Sequence, residues 1–179
     1  RSMQTEKFVQ AKSALLVIDV QQGLFTKSTP IYNAGQLLGN INLLVERAHR
    51  VGVPVYYIQH SDGRNLVKNS QDWQLHSQIH PQQIDYIVHK CHGNAFEDTN
   101  LGELLHSLNI TSLVITGLVT HGCVKATVIG ARQLGYQVTL AADGHSSYSK
   151  DAVQLIDKWN LKLSELEVEL IPASEITFS

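Results

Sequence analysis

The residues Ala14-Leu15-Leu16-Val17-Ile18-Asp19 form a short, continuous apolar run that ends in a carboxylate. An apolar run without polar alternation is typical of a strand that is buried on both faces, as in a parallel sheet. The run therefore predicts a central strand with Asp19 at its carboxyl end.

Helical and extended patterns alternate along the rest of the chain. Apolar residues at helical spacing predict a helix over 34–50, and Gly52 is placed to end it. Further strands are predicted at 53–60, 85–90, 110–116, 136–140 and 168–171. Further helices are predicted over 101–108, 123–134 and 149–160. This alternation predicts one α/β domain, a parallel sheet of about six strands with helices on both faces.

Composition narrows the class of protein. The chain has 179 residues, of which 43% are hydrophobic, and its formal net charge is −2. The lack of a basic excess argues against nucleic acid or an anionic membrane as the partner. No apolar run reaches the roughly 18 residues of a membrane span, and the first residues lack the apolar centre of a signal peptide. The two cysteines cannot build a disulfide scaffold, so we expect a cytoplasmic protein.

The domain is expected to cover residues 13–179, with 1–12 as an N-terminal segment. Within that segment, Arg1-Ser2 ahead of Met3 looks like a remnant of cloning, with Met3 as the natural start. The polar stretch 61–83 has little periodicity, and loops of this length in a compact domain usually wrap a functional site.

Three reactive side chains follow predicted strands. Asp19 ends the first strand, Lys90 ends the third, and Cys123 comes directly after the fourth. Because ligands of parallel α/β sheets bind outside the carboxyl ends of the strands, we expect these residues to meet at one edge.

Cys123 is the candidate nucleophile of this group. It follows the turn 117–122 and opens a predicted helix, and a helix N-terminus together with Lys90 is expected to favour thiolate over thiol. Asp19 could then take the thiol proton and return it to a leaving amine, while backbone N–H groups of the turn bind an oxyanion. The alternative is that Cys123 is a small buried hydrophobe. Cys91, on the opposite face of the strand from Lys90, is expected to pack in the interior.

Neither a metal nor a nucleotide cofactor is predicted. The spacing of His76 and His80, or of His60 and Asp62, does not complete a ligand set. Phosphate-binding motifs such as GxGxxG and GxxxxGK[ST] do not occur in the sequence. His60 is nevertheless expected to face the crevice, because it ends the second strand.

Three separated motifs together resemble the isochorismatase-like cysteine hydrolases. These are 14–21 around Asp19, 89–99 around Lys90 with Gly93-Asn94-Ala95-Phe96, and 117–127 around Cys123. The resemblance implies a Rossmann-like sheet, an Asp19-Lys90-Cys123 triad, and hydrolysis of a small amide or ureide through a thioester. It also implies a cis peptide between Leu118 and Val119, an oxyanion hole formed by the amides of Val119 and Cys123, and a homo-oligomer of two or more subunits.

The candidates for contacts with a small-molecule substrate are Gln21, Phe25, His60, Phe96, Thr120 and His121. Gln21 has an alternative role in tying loops together, and the two phenylalanines have an alternative role in the core.

The sequence departs from two branches of the family. Nicotinamidases of the family carry an Asp-x-His metal site after the second strand, which the residues Gln59-His60-Ser61-Asp62 do not reproduce. True isochorismatases lack the nucleophilic cysteine that Cys123 would supply. A metal-assisted nicotinamidase, a catalytically idle member of the fold and a redox sensor using Cys123 remain as alternatives.

Overall fold

Six parallel strands form one sheet in this computed structural model, which describes residues 12–179. The strands are β1 (Ser13–Ile18), β2 (Val55–His60), β3 (Tyr86–Lys90), β4 (Ser112–Leu118), β5 (Gln137–Ser146) and β6 (Val168–Ile171). Their order across the sheet is β3-β2-β1-β4-β5-β6. The predicted Rossmann-like α/β architecture is therefore confirmed. The proposed remnant Arg1-Ser2 lies outside the described residues.

Helices cover both faces of this sheet. They are α1 (Ala34–Arg50), α2 (Leu101–Ser107), α3 (Lys125–Gln133) and α4 (Ala152–Ser164). The pleat of β1 explains the two layers, because Leu15 and Val17 join the apolar cluster beneath α1, while Leu16 and Ile18 join the cluster on the other face. The central strand is thus buried on both sides, as its unbroken apolar run predicts. None of the helices in the described part of the chain is long and apolar enough to cross a bilayer.

The strand order reverses between β1 and β4, which are neighbours in the sheet. From β1 the chain proceeds to β2 and β3 on one side, and from β4 it proceeds to β5 and β6 on the other. In open parallel sheets, the crevice at such a reversal is the usual ligand site. Asp19 and Cys123 follow the two strands that border it.

Gly117 allows β4 to approach the end of β1 closely. Its φ is +131°, and a Cβ at this position would overlap the carbonyl oxygen of Ile18. A glycine is therefore required here for both its backbone conformation and its lack of a side chain. The tight approach sets the positions of Asp19 and of the turn after β4.

Most predicted bounds shift by a few residues in the structure, and two differences bear on the site. β5 continues six residues beyond the predicted end at 140, because an irregularity between Ile115 and Gly117 shifts its register and lets it pair onward to Ser146. Cys123 does not open a regular α-helix, since a π-helical turn at Thr120–Val124 precedes α3.

Candidate active site

The three predicted triad residues meet at the carboxyl edge of the sheet. Lys90 lies on β3, which is separated from β1 by β2, so its side chain reaches past His60 towards Asp19. Lys90 Nζ lies 3.2 Å from Asp19 Oδ2 and 3.0 Å from Cys123 Sγ. Asp19 and Lys90 are each only 3% exposed. A buried charge of either sign needs a partner, and each of these two residues supplies one for the other.

Lys90 has a third partner, which is His60. Nζ lies 2.9 Å from His60 Nδ1, so the three protons of the ammonium have three acceptors. His60 Nδ1 can accept only when it carries no proton, which leaves the ring proton on Nε2. Burial and the neighbouring Lys90 charge lower the pKa of His60, which favours this same neutral form.

The surroundings of Cys123 raise the pKa of its thiol and so favour the protonated form, contrary to the expectation of a resting thiolate. Burial, followed by the charge of Asp19, raises the pKa of Cys123 to about 12, and Lys90 only partly offsets this. The irregular turn around Cys123 also differs from the helix N-terminus on which the expectation rested.

Asp19 is placed to accept the thiol proton. Its Oδ1 is buried and has no hydrogen-bond partner within residues 12–179, whereas Oδ2 accepts from Lys90. Carboxylate, imidazole and thiol ligand atoms of Asp19, His60 and Cys123 all lie within 4.8 Å of one another. Burial raises the pKa of Asp19, and the charge of Lys90 opposes that rise. A carboxylate with a raised pKa is a stronger base than an ordinary one.

The distances between the ligand atoms of Asp19, His60 and Cys123 would also allow them to hold a metal ion. However, Lys90 Nζ donates to all three residues and supplies the positive charge at their centre. A cation would have to displace this buried ammonium. A second group, His92, Glu97 and Asp98, lies nearer the surface.

The turn that carries Cys123 begins with a cis peptide between Leu118 and Val119, as the family resemblance implies. The N–H groups of Gly122 and Val124 donate to the carbonyl of Val119, at 3.0 and 3.3 Å. Val119 and Cys123 both line a cavity beside Asp19 and His60, named the catalytic cavity after the candidate triad. Their amides as the oxyanion hole remain a prediction.

The catalytic cavity has a volume of about 180 Å³. This is below the usual range for drug-sized ligands, so it suits a small molecule. Its wall consists of Asp19, Leu24, Lys27, His60, Asp62, Asn65, Leu66, Val119, Gly122, Cys123 and Tyr148. Asp62, Asn65 and Leu66 come from the long polar segment after β2, which supports the expectation that this segment wraps the site.

Of the predicted substrate contacts, only His60 lies on this wall. Gln21 is fully buried, and its amide group bonds backbone groups of His60 and Trp73. Phe25 contacts the ring of His76 in a tilted arrangement, with the ring centroids 4.5 Å apart. Phe96 lies near Tyr136 and lines a different surface cavity. Gln21 thus fulfils the alternative role of tying loops together.

Thr120 and His121, which are neighbours in the turn that carries Cys123, differ in burial. His121 is exposed, whereas Thr120 is buried with Oγ1 2.8 Å from His145 Nδ1. His145 Nε2 lies in turn 2.7 Å from Asn160 Oδ1, and Asn160 Nδ2 donates to a backbone carbonyl. These contacts assign the directions: Thr120 donates to His145, and His145 donates to Asn160. The chain of bonds ties the turn to α4.

Sequence reasoning missed Leu24, Lys27, Asn65 and Tyr148 as wall residues, and it misplaced Cys91. Tyr148 is the second residue after the true end of β5, so a correct strand end would have pointed to it. Cys91 is exposed rather than packed, because it continues the face of β3 on which Ile87 and His89 are also exposed.

The comparisons with known proteins agree on one family. A profile of the isochorismatase domain matches residues 13–168. A streptothricin hydrolase of Streptomyces noursei is 32% identical over 75% of this chain and 50% of its own length. A second streptothricin hydrolase of this species is matched over 58% of its own length. The chain therefore spans only about half the length of these relatives.

Two further similarities cover more of both proteins. Ureidoacrylate amidohydrolase RutB of Pseudomonas savastanoi pv. phaseolicola is 24% identical over 84% of this chain and 77% of its own length. The crystal structure of an isochorismatase from Pseudomonas putida KT2440 superposes with a TM-score of 0.85 at 22% identity, covering 95% of this chain and 94% of the other. At that identity the superposition supports the fold alone. The profile of the isochorismatase domain matches most of the length of this chain, and the chain therefore belongs to the isochorismatase family.

Proposed function

We propose that this protein hydrolyses a C–N bond of a small amide or ureide, with Cys123 as the covalent nucleophile. The observation that carries the proposal is the set of three hydrogen bonds from Lys90 to Asp19, His60 and Cys123. These bonds join a carboxylate, an imidazole and a thiol through one ammonium group, and Asp19, His60 and Cys123 also line the cavity. The two relatives named for hydrolysis of streptothricin and ureidoacrylate support the same reaction class.

In the first half of the reaction, Cys123 Sγ attacks the carbonyl carbon of the substrate while its proton passes to Asp19 Oδ1. Lys90 stabilises the negative charge that develops on sulfur, and the amides of Val119 and Cys123 would bind the oxyanion. When the C–N bond breaks, Asp19 returns the proton to nitrogen. Ammonia or an amine leaves, and an acyl thioester remains on Cys123.

In the second half, Asp19 takes a proton from water, and the resulting nucleophile attacks the thioester. The C–S bond breaks, the acid product leaves, and the proton returns to the sulfur of Cys123. One water is consumed, and the triad regains its starting protonation. A protonated resting thiol suits this cycle, because Asp19 must be free to accept a proton at each attack.

A screen of small amides and ureides tests the proposal, with ammonia release as the readout. Wild type is compared with Cys123→Ala and with Cys91→Ala, which removes the other thiol. We expect release by wild type and by Cys91→Ala, and at least a roughly thousandfold loss for Cys123→Ala. Equal release by Cys123→Ala would contradict covalent cysteine catalysis. Release that depends on added zinc or iron would instead favour the nicotinamidase alternative.

The proposal includes a cytoplasmic location and a homo-oligomer of two or more subunits. The first rests on the composition and the second on the family resemblance. Light scattering of the purified protein measures the assembly directly, and a monomeric mass at micromolar concentration would contradict the second.

A further inference from the structure

We infer that Lys27 binds an anionic group of the substrate, so the preferred substrate is a small amide or ureide that also carries a carboxylate. This inference rests on the proposed function, because the amide end of the substrate is assigned to Cys123. It adds the chemical class of the group at the other end of the substrate.

Lys27 is held at the catalytic cavity by an aromatic platform. It lies between the short helical turn Gln22–Leu24 and α1, is partly buried, and lines the same cavity as Cys123. Its Nζ lies 5.5 Å from the centre of the Tyr148 ring, within the range of a cation–π contact. Tyr148 packs against the apolar cluster beneath α1, so the platform is anchored in the core. The contact restricts the lysine without neutralising its charge.

The charge of Lys27 has no carboxylate partner among residues 12–179, where every ion pair within 4.0 Å involves other groups. The nearby cation Lys90 lies behind the cavity wall and is already paired with Asp19. Lys27 is therefore the cavity cation that can pair with a ligand.

Asp62 also lies on the cavity wall, but its carboxylate has a local task. Its Oδ1 accepts the backbone N–H groups of Arg64, Asn65 and Leu66 at 2.6–3.1 Å. These bonds lower the pKa of Asp62 and close the turn that carries Leu66 into the cavity. Asp62 thus shapes the wall, whereas Lys27 offers a charge to the ligand.

The remaining wall suits a short hydrocarbon spacer. Leu24, Leu66 and Val119 contribute apolar surface to a cavity of about 180 Å³. An amide, a spacer of a few carbons and a carboxylate fill such a volume. The carboxylate would replace water on Lys27 with a charge-assisted hydrogen bond.

Matched pairs of substrates test the inference. The probes are succinamic acid with its methyl ester, and N-carbamoylglycine with its methyl ester, since each ester removes the negative charge at the expense of one added methyl group. We expect wild type to favour the acids in kcat/KM. Lys27→Ala should reduce the acid-to-ester ratio about tenfold, mainly through KM for the acid. Lys27→Arg should preserve the ratio, because the charge remains.

Lys158→Ala is the matched control for this substitution. It also removes a lysine that lies over an aromatic ring, here Trp159 at 5.6 Å, but it lies outside the catalytic cavity. The acid-to-ester ratio should be unchanged in this variant. A ratio that is equally unaffected by Lys27→Ala would overturn the inference while leaving the proposed hydrolysis intact.

A binding measurement separates the two proposals. In a Cys123→Ser background, calorimetry with succinamic acid should give a Kd that Lys27→Ala weakens about tenfold and Lys158→Ala leaves unchanged. Lys27-dependent binding without ammonia release by wild type would support anion recognition and contradict the proposed hydrolysis. Binding that is insensitive to Lys27→Ala would overturn the inference whatever the turnover.

Discussion

Lys90 donates to three atoms that belong to three different parts of the chain: the residue after β1, the last residue of β2 and the turn before α3. Removal of its side chain would leave the buried carboxylate of Asp19 without a countercharge. The positions of His60 and Cys123 would lose their common partner as well. Lys90 therefore acts both on the charge balance of the site and on its geometry.

The protonated resting state of Cys123 has a consequence for alkylation. Because its pKa is raised to about 12 and the side chain is partly buried, Cys123 should react with iodoacetamide more slowly at pH 7 than the exposed Cys91. Peptide mass spectrometry of partly labelled protein gives the order, and Cys91→Ala and Cys123→Ala confirm which site each rate belongs to. Faster labelling of Cys123 would show that its thiolate is populated at rest.

Asp19 should determine the acidic limb of the pH–activity profile. As a general base it must be ionised, and burial raises its pKa above the ordinary 3.8. Activity should therefore fall as the pH drops through a value above that of an exposed carboxyl group. Asp19→Asn should lose about 10²–10⁴-fold in kcat/KM. A profile for wild type that stays flat down to pH 4 would contradict this assignment.

The triad could be predicted from sequence because Asp19 and Lys90 end strands and Cys123 follows one, and parallel strands share one carboxyl edge. The protonation state of Cys123 could not be predicted from sequence, because burial, Asp19 and Lys90 act on its pKa in opposing directions. Lys27 was also missed, since nothing in the local sequence shows that it lines the cavity or contacts Tyr148, more than a hundred residues away.

At the level of elements, the approach of β4 to β1 depends on Gly117. Gly117→Ala combines a positive φ with overlap of the Ile18 carbonyl, so we expect a loss of more than about 3 kcal/mol in the free energy of unfolding. Gly52→Ala is the matched control, because Gly52 also has a positive φ but has open space around its Cα. That variant should lose only about 1–2 kcal/mol. Urea unfolding measures both, and similar losses would argue against a steric role for Gly117.

Strand and helix ends show where sequence patterns fail. The bounds of α1 and β6 agree with their predicted ranges, because a clear periodicity or an apolar run defines each of them. The extension of β5 to Ser146 and the π-helical turn at Thr120–Val124 do not follow from periodicity. Both depend on pairing and packing after β4, which is a property of the assembled sheet.

Across the whole molecule, buried neutral histidines should make stability fall in mild acid. Burial lowers the pKa of His145 below 6.5, so below pH 6.5 the unfolded chain takes up a proton that the folded chain does not. The free energy of unfolding should fall by up to about 1.4 kcal/mol per pH unit for this group. Asp19, with its raised pKa, has the opposite sign, since its cost of burial is relieved as the pH falls through that pKa.

Urea unfolding at pH 7.5 and 5.5 isolates the contribution of His145. His145→Gln should reduce the difference between the two pH values, whereas His106→Gln, at an exposed position, should preserve it. An unchanged difference in His145→Gln would show that folding does not lower the pKa of this residue.

The central claim, covalent catalysis by Cys123, is tested most directly by trapping the thioester. Enzyme mixed with a substrate from the ammonia screen and quenched in acid within milliseconds is digested and analysed by mass spectrometry. The account predicts that the peptide with Cys123 gains the mass of the substrate minus ammonia, and that Cys123→Ala shows neither this gain nor ammonia release. Ammonia release by Cys123→Ala at the wild-type rate, or an acyl group on another residue, would contradict it.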